Sequence, residues 1–242
     1  MYFNNRNTII ELQKEILPLQ GLKSSIHNHK SSINLGPIDY AFPNSCFPIG
    51  AIHEFLSGDD NCTTPASGFI AGLLSGLMRK GEVSVWIRLA GNIFPPALTT
   101  FNVSPDHIIF IDLQKQKDIL WVFEETLKYS GLAAVVAEMR DLNFTASRRF
   151  QLAVEQSGVT GFIIRHHFHN LNNTACVSRW RITSLPSAED DMPGISFPRW
   201  NVELLKIRNG KPGAWQIEWS AGKFSHINPL IIPIPHQKRK TG

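Results

Sequence analysis

Hydrophobic positions along this chain change rhythm three times, and each rhythm predicts a different kind of element. Residues 8–17 (TIIELQKEIL) place Ile9, Leu12, Ile16 and Leu17 on one helical face before Pro18 and Gly21 stop it, which predicts a short amphipathic helix. Residues 23–34 are rich in Ser, Asn, His and Lys, with little to bury, so a mobile linker is expected there. Residues 35–47 carry Pro37 and Pro43, with Pro48 just beyond, and are expected to run extended into the first strand. Ile49, Ala51, Ile52, Phe55 and Leu56 make a short apolar run suited to that strand. Ser57 to Thr64 is nearly all turn formers, and Pro65 opens a helix where a missing N–H costs nothing. From Phe69 to Met78 the apolar residues recur at helical spacing, with Gly68, Gly72 and Gly76 four apart so that this face can press closely on a sheet.

Residues 83–89 (VSVWIRL) and 107–113 (HIIFIDL) are apolar enough to be buried on two faces, as parallel strands are, and 132–139 (LAAVVAEM) is a third such run. Between them fall a short helix at 95–103 and an amphipathic one at 118–129 with Leu120, Phe123 and Leu127 inward. A further helix at 142–157 and a strand at 161–165 (GFIIR) continue an alternation that demands right-handed crossovers and a parallel sheet. From Ala175 the rhythm becomes strict alternation, in 175–185, 200–207 and 214–219, with RNGKPG at 208–213 as a hairpin turn. The fold class is therefore α/β: a mainly parallel central sheet flanked by helices, with an antiparallel C-terminal hairpin at its edge. An exposed loop is expected at 186–198, which carries Glu189, Asp190 and Asp191, and an extended tail beyond Pro229. The expected division is 1–34 (helix and linker), 35–225 (core with hairpin) and 226–242 (basic tail).

Composition narrows the class. A chain of 242 residues, 43% hydrophobic and 18% charged, is ordinary globular material that can bury about three-quarters of its unfolded surface. The net charge is +4, and its excess is visible at Lys238, Arg239 and Lys240, which suit an acidic partner such as nucleic acid or a solvated tail. Cys46, Cys62 and Cys176 are odd in number and widely spaced, as reduced thiols of a cytoplasmic protein are, without a zinc site or disulfide framework. Apolar runs long enough to span a bilayer are absent, and Glu11, Lys14 and Glu15 interrupt the stretch where a signal peptide would be apolar.

The strand, loop and helix around 49–81 have the shape in which nucleotide-binding proteins hold phosphate, because loop amides and the helix N-terminus converge on an anion. Such a loop needs a lysine for the β- and γ-phosphates and a hydroxyl for Mg²⁺. Here Ser57, Gly58, Asp59, Asp60, Asn61, Cys62, Thr63 and Thr64 offer hydroxyls but no lysine, and two carboxylates would repel a triphosphate. A nucleotide fold that has lost its nucleotide and an ordinary turn with Thr64 as N-cap fit equally well; no catalytic residue, cofactor or metal is assigned.

Elsewhere, His166, His167 and His169 have neither a cysteine nor a carboxylate at ligand spacing and read as a solvated loop. Arg140, Arg148, Arg149 and Arg165 could line a phosphate-binding face, though a salt-bridged helix flank is the simpler reading. Trp180, Trp200, Trp215 and Trp219 could stack on bases, but cross-strand packing accounts better for aromatics in alternating strands. Asp112 reads as a strand-end cap rather than a Mg²⁺ ligand.

The order of these elements, with the phrases GAIHEFLSG and the series Arg199, Trp200, Leu204, Leu205, Arg208, Gly210, Pro212, Gly213, Trp215, Glu218 and Trp219, resembles the RecA core. It resembles the ImuA family more closely still: RecA-like proteins encoded with a Y-family polymerase homologue and implicated in DNA-damage-induced mutagenesis. The resemblance covers roughly residues 35–219. It implies that the lysine and hydroxyl of RecA's phosphate loop fall on Thr63 and Thr64, the preceding glycine on Cys62 and the water-activating glutamate near Ala90. The acidic residue closing the next apolar strand is kept as Glu138, which cannot hydrolyse ATP alone. The second of RecA's DNA-binding loops would be reduced to 166–174.

The expected function is thus a non-catalytic, RecA-like scaffold in error-prone translesion synthesis. Its expected partners are a Y-family polymerase homologue of the ImuB type, a replicative-type error-prone polymerase subunit and, as a further partner, RecA; the alternatives are a SulA-type cell-division inhibitor, though such inhibitors are shorter, and a residual nucleotide-binding protein, which Thr63, Asp59 and Asp60 argue against. The parallel core buries both faces, so partner contact is expected on the proline-spaced tail, at Leu230, Ile231, Ile232, Ile234, Lys238, Arg239 and Lys240. The stripe of Ile9, Leu12, Ile16 and Leu17 is expected to dock on a partner or on another copy.

Overall fold

Short apolar runs separated by helical stretches become strands β1 (Ile52–Ser57), β2 (Val83–Arg88), β3 (Ile108–Asp112), β4 (Leu132–Met139) and β5 (Thr160–Arg165) in a computed structural model of the chain. It describes residues 33–57, 64–78, 81–89, 93–166, 172–187 and 197–227. The helices between the strands are α1 (Thr64–Leu77), α2 (Gln116–Leu127) and α3 (Phe144–Ser157). Asn143 caps α3 by accepting from the Ala146 amide, and Gly158 ends it at φ 80°, the left-handed turn that glycine adopts without strain. The alternating runs follow as β6 (Ser178–Leu185), β7 (Arg199–Ile207), β8 (Gly213–Ser220) and a fourth, β9 (Lys223–His226).

All nine described strands join in one mixed sheet, ordered β3-β2-β4-β5-β1-β6-β7-β8-β9. Pairing is parallel from β3 through β6 and antiparallel from β6 to β9, so the α/β class holds, with a mostly parallel sheet and an antiparallel C-terminal wing. One face is covered by α1, whose Phe69 packs in a cluster with Phe55, Trp86, Trp180, Trp200, Trp219 and Phe224. On the other, α2 and α3 close over Ile52, Val85, Ile87, Val135, Phe123 and Phe150. His53, wholly buried in β1, sits between Ser178 Oγ at 2.6 Å and the Pro48 carbonyl at 2.7 Å. Trp180 donates its indole N–H to the same Ser178 Oγ. Burial lowers the His53 pKa to about 4.

Four expectations are corrected. The line at 35–47 is not extended: it forms two 3-10 turns, Gly36–Ala41 and Pro43–Ser45, because each proline sits at a turn's first positions, where no N–H is needed. Leu35, Ile38, Phe42 and Phe47 are buried there, and so is Ile33 at the end of the expected linker. β3 is the outermost strand and leaves Ile109 52% exposed, rather than buried on both faces. In α2 the fully buried residue beside Phe123 and Leu127 is Ile119, with Leu120 only half-buried. The antiparallel C-terminal arm does lie at the edge of the sheet, with one more strand in the outermost place. Ala221 and Gly222, both left-handed at φ 50° and 73°, turn the chain back into β9, which takes that place.

The glycine stripe does press on a sheet, but on the wing. A methyl group at Gly68 would meet Phe101 and Trp200 at 3.3 Å, and one at Gly72 would overlap the ring of Phe224. The predicted N-terminal helix at 8–17 and the tail from Pro229 lie outside the described residues.

Candidate functional site

In an open parallel sheet the crevice for ligands lies beyond the carboxyl ends of the strands, which is where β1 hands over to α1. Ser57 ends β1 and Thr64 is the first residue of α1; Gly58, Asp59, Asp60, Asn61, Cys62 and Thr63 lie outside the described residues, as does Ala90. Their surroundings define what the position can do.

Beneath the handover is a buried ionic centre that sequence reasoning missed. Glu54, fully buried in β1, accepts from Arg165 Nη1 of β5 at 2.9 Å, from Arg179 Nε of β6 at 2.7 Å and from Thr174 Oγ1 at 3.0 Å. Arg179 also donates to the Asn172 carbonyl, and Lys206 Nζ to the Thr174 carbonyl at 2.9 Å. One carboxylate thus ties three strands and the segment before β6 together. A glutamate inside an apolar run (AIHEFLS), with arginines closing GFIIR and opening SRWR, was the available signal. Cys176 lies alongside, its thiol pushed up to about 12 by burial and then by the Glu54 charge, so it is not a nucleophile.

Glu138, at the end of β4, is also fully buried, but on the opposite face. Trp86 donates its indole N–H to Oε1 at 3.2 Å, and His166 Nε2 stands 3.5 Å from Oε2. Trp86 thus holds Oε1, while the buried Oε2 has no hydrogen-bond partner among the described residues. Arg88 and Asp112 form a two-toothed pair across β2 and β3 at 2.6 and 2.7 Å, so Asp112 is an ion-pair partner.

Beside the first turn of α1 opens a cleft of about 450 Å³. Thr64, Pro65 and Gly68 form one wall, Phe94, Leu98 and Phe101 another, and Leu185, Pro198 and Trp200 the floor. Among the described residues that line it the one cation, Arg199, is neutralised by Glu218 at 2.6 Å. The cleft offers aromatic surface and hydroxyls, which suits an apolar side chain better than a triphosphate.

The remaining candidate residues are dispersed. Arg165 is spent on Glu54, Arg149 pairs with Glu124 of α2, and Arg140 and Arg148 are exposed elsewhere, so the four do not form a phosphate-binding face. Trp180, Trp200 and Trp219 are buried and Trp215 half-buried, in an aromatic cluster that includes the stacked pair Phe55–Trp180, with centroids 5.9 Å apart. They pack; they are not open to bases. His167 and His169 lie outside the described residues, and among those described no three His, Cys, Asp or Glu converge as metal ligands. Leu230, Ile231, Ile232, Ile234, Lys238, Arg239 and Lys240 are likewise outside them.

No family model matches the chain. Two curated proteins do, each called Protein ImuA, from Caulobacter vibrioides strains NA1000 / CB15N and ATCC 19089 / CIP 103742 / CB 15. Each is 33% identical over 210 residues, covering 80% of this chain and 85% of the relative.

Proposed function

Because this chain belongs to the ImuA family, we propose that it acts in DNA-damage-induced mutagenesis, as a non-catalytic accessory protein of error-prone translesion synthesis. The observation that carries the reading is the 33% identity, which spans most of both chains rather than one motif. Geometry around the β1–α1 handover supports the non-catalytic part. The connecting sequence has no lysine, Glu138 is sealed beneath Trp86, and the adjoining cleft is aromatic and charge-compensated. The reading is of a RecA-like scaffold with a degenerate phosphate loop, used to hold partners.

Those partners are an ImuB-type Y-family polymerase homologue, a replicative-type error-prone polymerase subunit and RecA, met by the tail at Leu230 to Ile234 and Lys238 to Lys240. A cytoplasmic protein fits this role. No helix among the described residues is long and apolar enough to cross a membrane.

The test has two arms. Calorimetric titration with Mg-ATP should show no binding, and Thr63→Lys should create no turnover; micromolar affinity or measurable hydrolysis overturns the non-catalytic reading. Truncation after Ile227, which keeps β9 whole, should leave thermal stability unchanged and abolish co-purification with a co-expressed ImuB-type polymerase homologue. Undiminished co-purification moves the contact off the tail.

A further inference from the structure

The charge of this protein is divided by the sheet. Across the described residues from 33 to 166, eleven carboxylates outnumber eight lysines and arginines. The antiparallel wing and its approach, from 172 to 227, carry seven lysines and arginines against Glu203 and Glu218 alone among the described residues. The β6–β7 connection, outside the described residues, adds Glu189, Asp190 and Asp191, so 172–227 as a whole carries seven cations against five carboxylates in a chain whose net charge is +4.

These cations share a face. The inner face of the wing presents Trp180, Ile182, Trp200, Val202, Leu204, Ile217, Trp219 and Phe224 to the α1 side. Side chains alternate along a strand, so the intervening positions point the other way. The register makes them neighbours: Arg179 opposite Lys206, Arg181 opposite Glu203, Arg199 opposite Glu218, and Ser220 opposite Lys223. Arg208 joins them by donating to the Ala175 carbonyl at 3.2 Å. Six cations thus stand on the outer face; Arg179 is held by the buried Glu54 at 2.7 Å, Arg181 by Glu203 at 3.2 Å and Arg199 by Glu218 at 2.6 Å, which leaves Lys206, Arg208 and Lys223 without a matched carboxylate among the described residues.

That face is open. The helices α2 and α3 pack on β1, β2, β4 and β5, while the outer positions of β7, β8 and β9 remain half-exposed or exposed, with polar Asn201 and Gln216 among the charges. α3 borders it: Ser147 Oγ accepts from the Ala175 amide at 2.9 Å, next to the carbonyl that Arg208 holds. Phe144, Arg148 and Leu152, four apart, make an exposed stripe on α3, and Phe144 is 57% exposed. A cationic floor beside an exposed aromatic is the combination that takes a single-stranded nucleic acid, phosphates on the cations and a base on the ring.

We propose that the outer face of β6–β9, with the bordering stripe of α3, is a single-stranded DNA-binding surface. It goes beyond the accessory role above and stands on charge and register alone. Binding is of the backbone kind, tolerant of sequence and steeply dependent on salt.

The test is fluorescence anisotropy of the full chain with a labelled 30-nucleotide oligo(dT) between 50 and 200 mM NaCl. Wild type should bind, and Arg181→Ala/Lys206→Ala/Lys223→Ala should weaken binding at least tenfold and flatten the salt slope by about 2 to 3. Lys223→Ala alone, on the exposed terminal strand, should lower the slope by about 1, so the result does not hang on the triple variant folding. Lys115→Ala/Lys117→Ala, at the opposite end of the sheet, should change neither. Absence of binding at 50 mM salt overturns the proposal. So does a wild-type slope in both wing variants, or loss of binding only in Lys238→Ala/Arg239→Ala/Lys240→Ala, which would place the contact on the tail. Binding of poly-glutamate but not of oligo(dT) would assign the face to an acidic protein and overturn it equally.

Discussion

Replacing Gly72 by alanine sets two opposed effects against each other at one atom. In the interior of a helix the exchange is favourable by about 1 kcal/mol, because alanine loses less backbone freedom. At this position the new methyl would overlap Phe224 Cζ and lie 3.1 and 3.2 Å from its two Cε atoms. The ring cannot simply swing aside: its centroid is 5.1 Å from Phe69 and 4.9 Å from Trp219, with Trp200 at 6.3 Å. Overpacking of this kind costs about 1–3 kcal/mol, so the single substitution should be neutral to destabilising by about 2 kcal/mol once the helix gain is subtracted. In a Phe224→Ala background the obstacle is gone and the same exchange should stabilise by about 1 kcal/mol. The coupling between the sites, about 1–3 kcal/mol, is the quantity to measure. Urea unfolding of the four proteins, followed by tryptophan fluorescence and far-UV circular dichroism, gives it directly. A coupling below about 0.5 kcal/mol would mean that β9 does not lie against α1, and the reasoning would fail.

Glu54→Gln should destabilise by about 3–5 kcal/mol, because two guanidiniums would remain buried without their carboxylate. Lys128→Ala, at an exposed pair with Glu125, should cost under about 1 kcal/mol, and a similar small loss in both variants refutes the ionic centre. His53 gives the stability a pH dependence. Its neutral ring accepts at Nδ1 from Ser178 and donates at Nε2 to Pro48, and its pKa of about 4 in the fold lies below the ordinary 6.5. The unfolded chain therefore binds the proton first as pH falls. The contribution is complete above pH 6.5 and is lost toward pH 4, by up to about 3 kcal/mol. Stability measured across this window should fall less steeply in His53→Gln; an unchanged slope removes His53 as the cause.

The α/β class, the parallel core and the wing were written in the chain because each depends on local periodicity. A run such as 132–139 can be satisfied only by burial on both faces, and 175–185 only by alternation. That 57–64 holds no lysine is a fact of composition. What periodicity does not contain is the order of strands. HIIFIDL reads as buried, yet β3 received the edge because no described strand pairs beyond it, and Ile109 is left facing out. KFSH is too short to announce a strand; it became β9 because Phe224 fills the space that Gly72 leaves on α1. The Glu54 centre and the basic face of the wing belong to tertiary structure for the same reason. Glu54 and Arg179 are 125 residues apart, and cations spread from Arg179 to Lys223 gather only when the register of four strands puts them on one side.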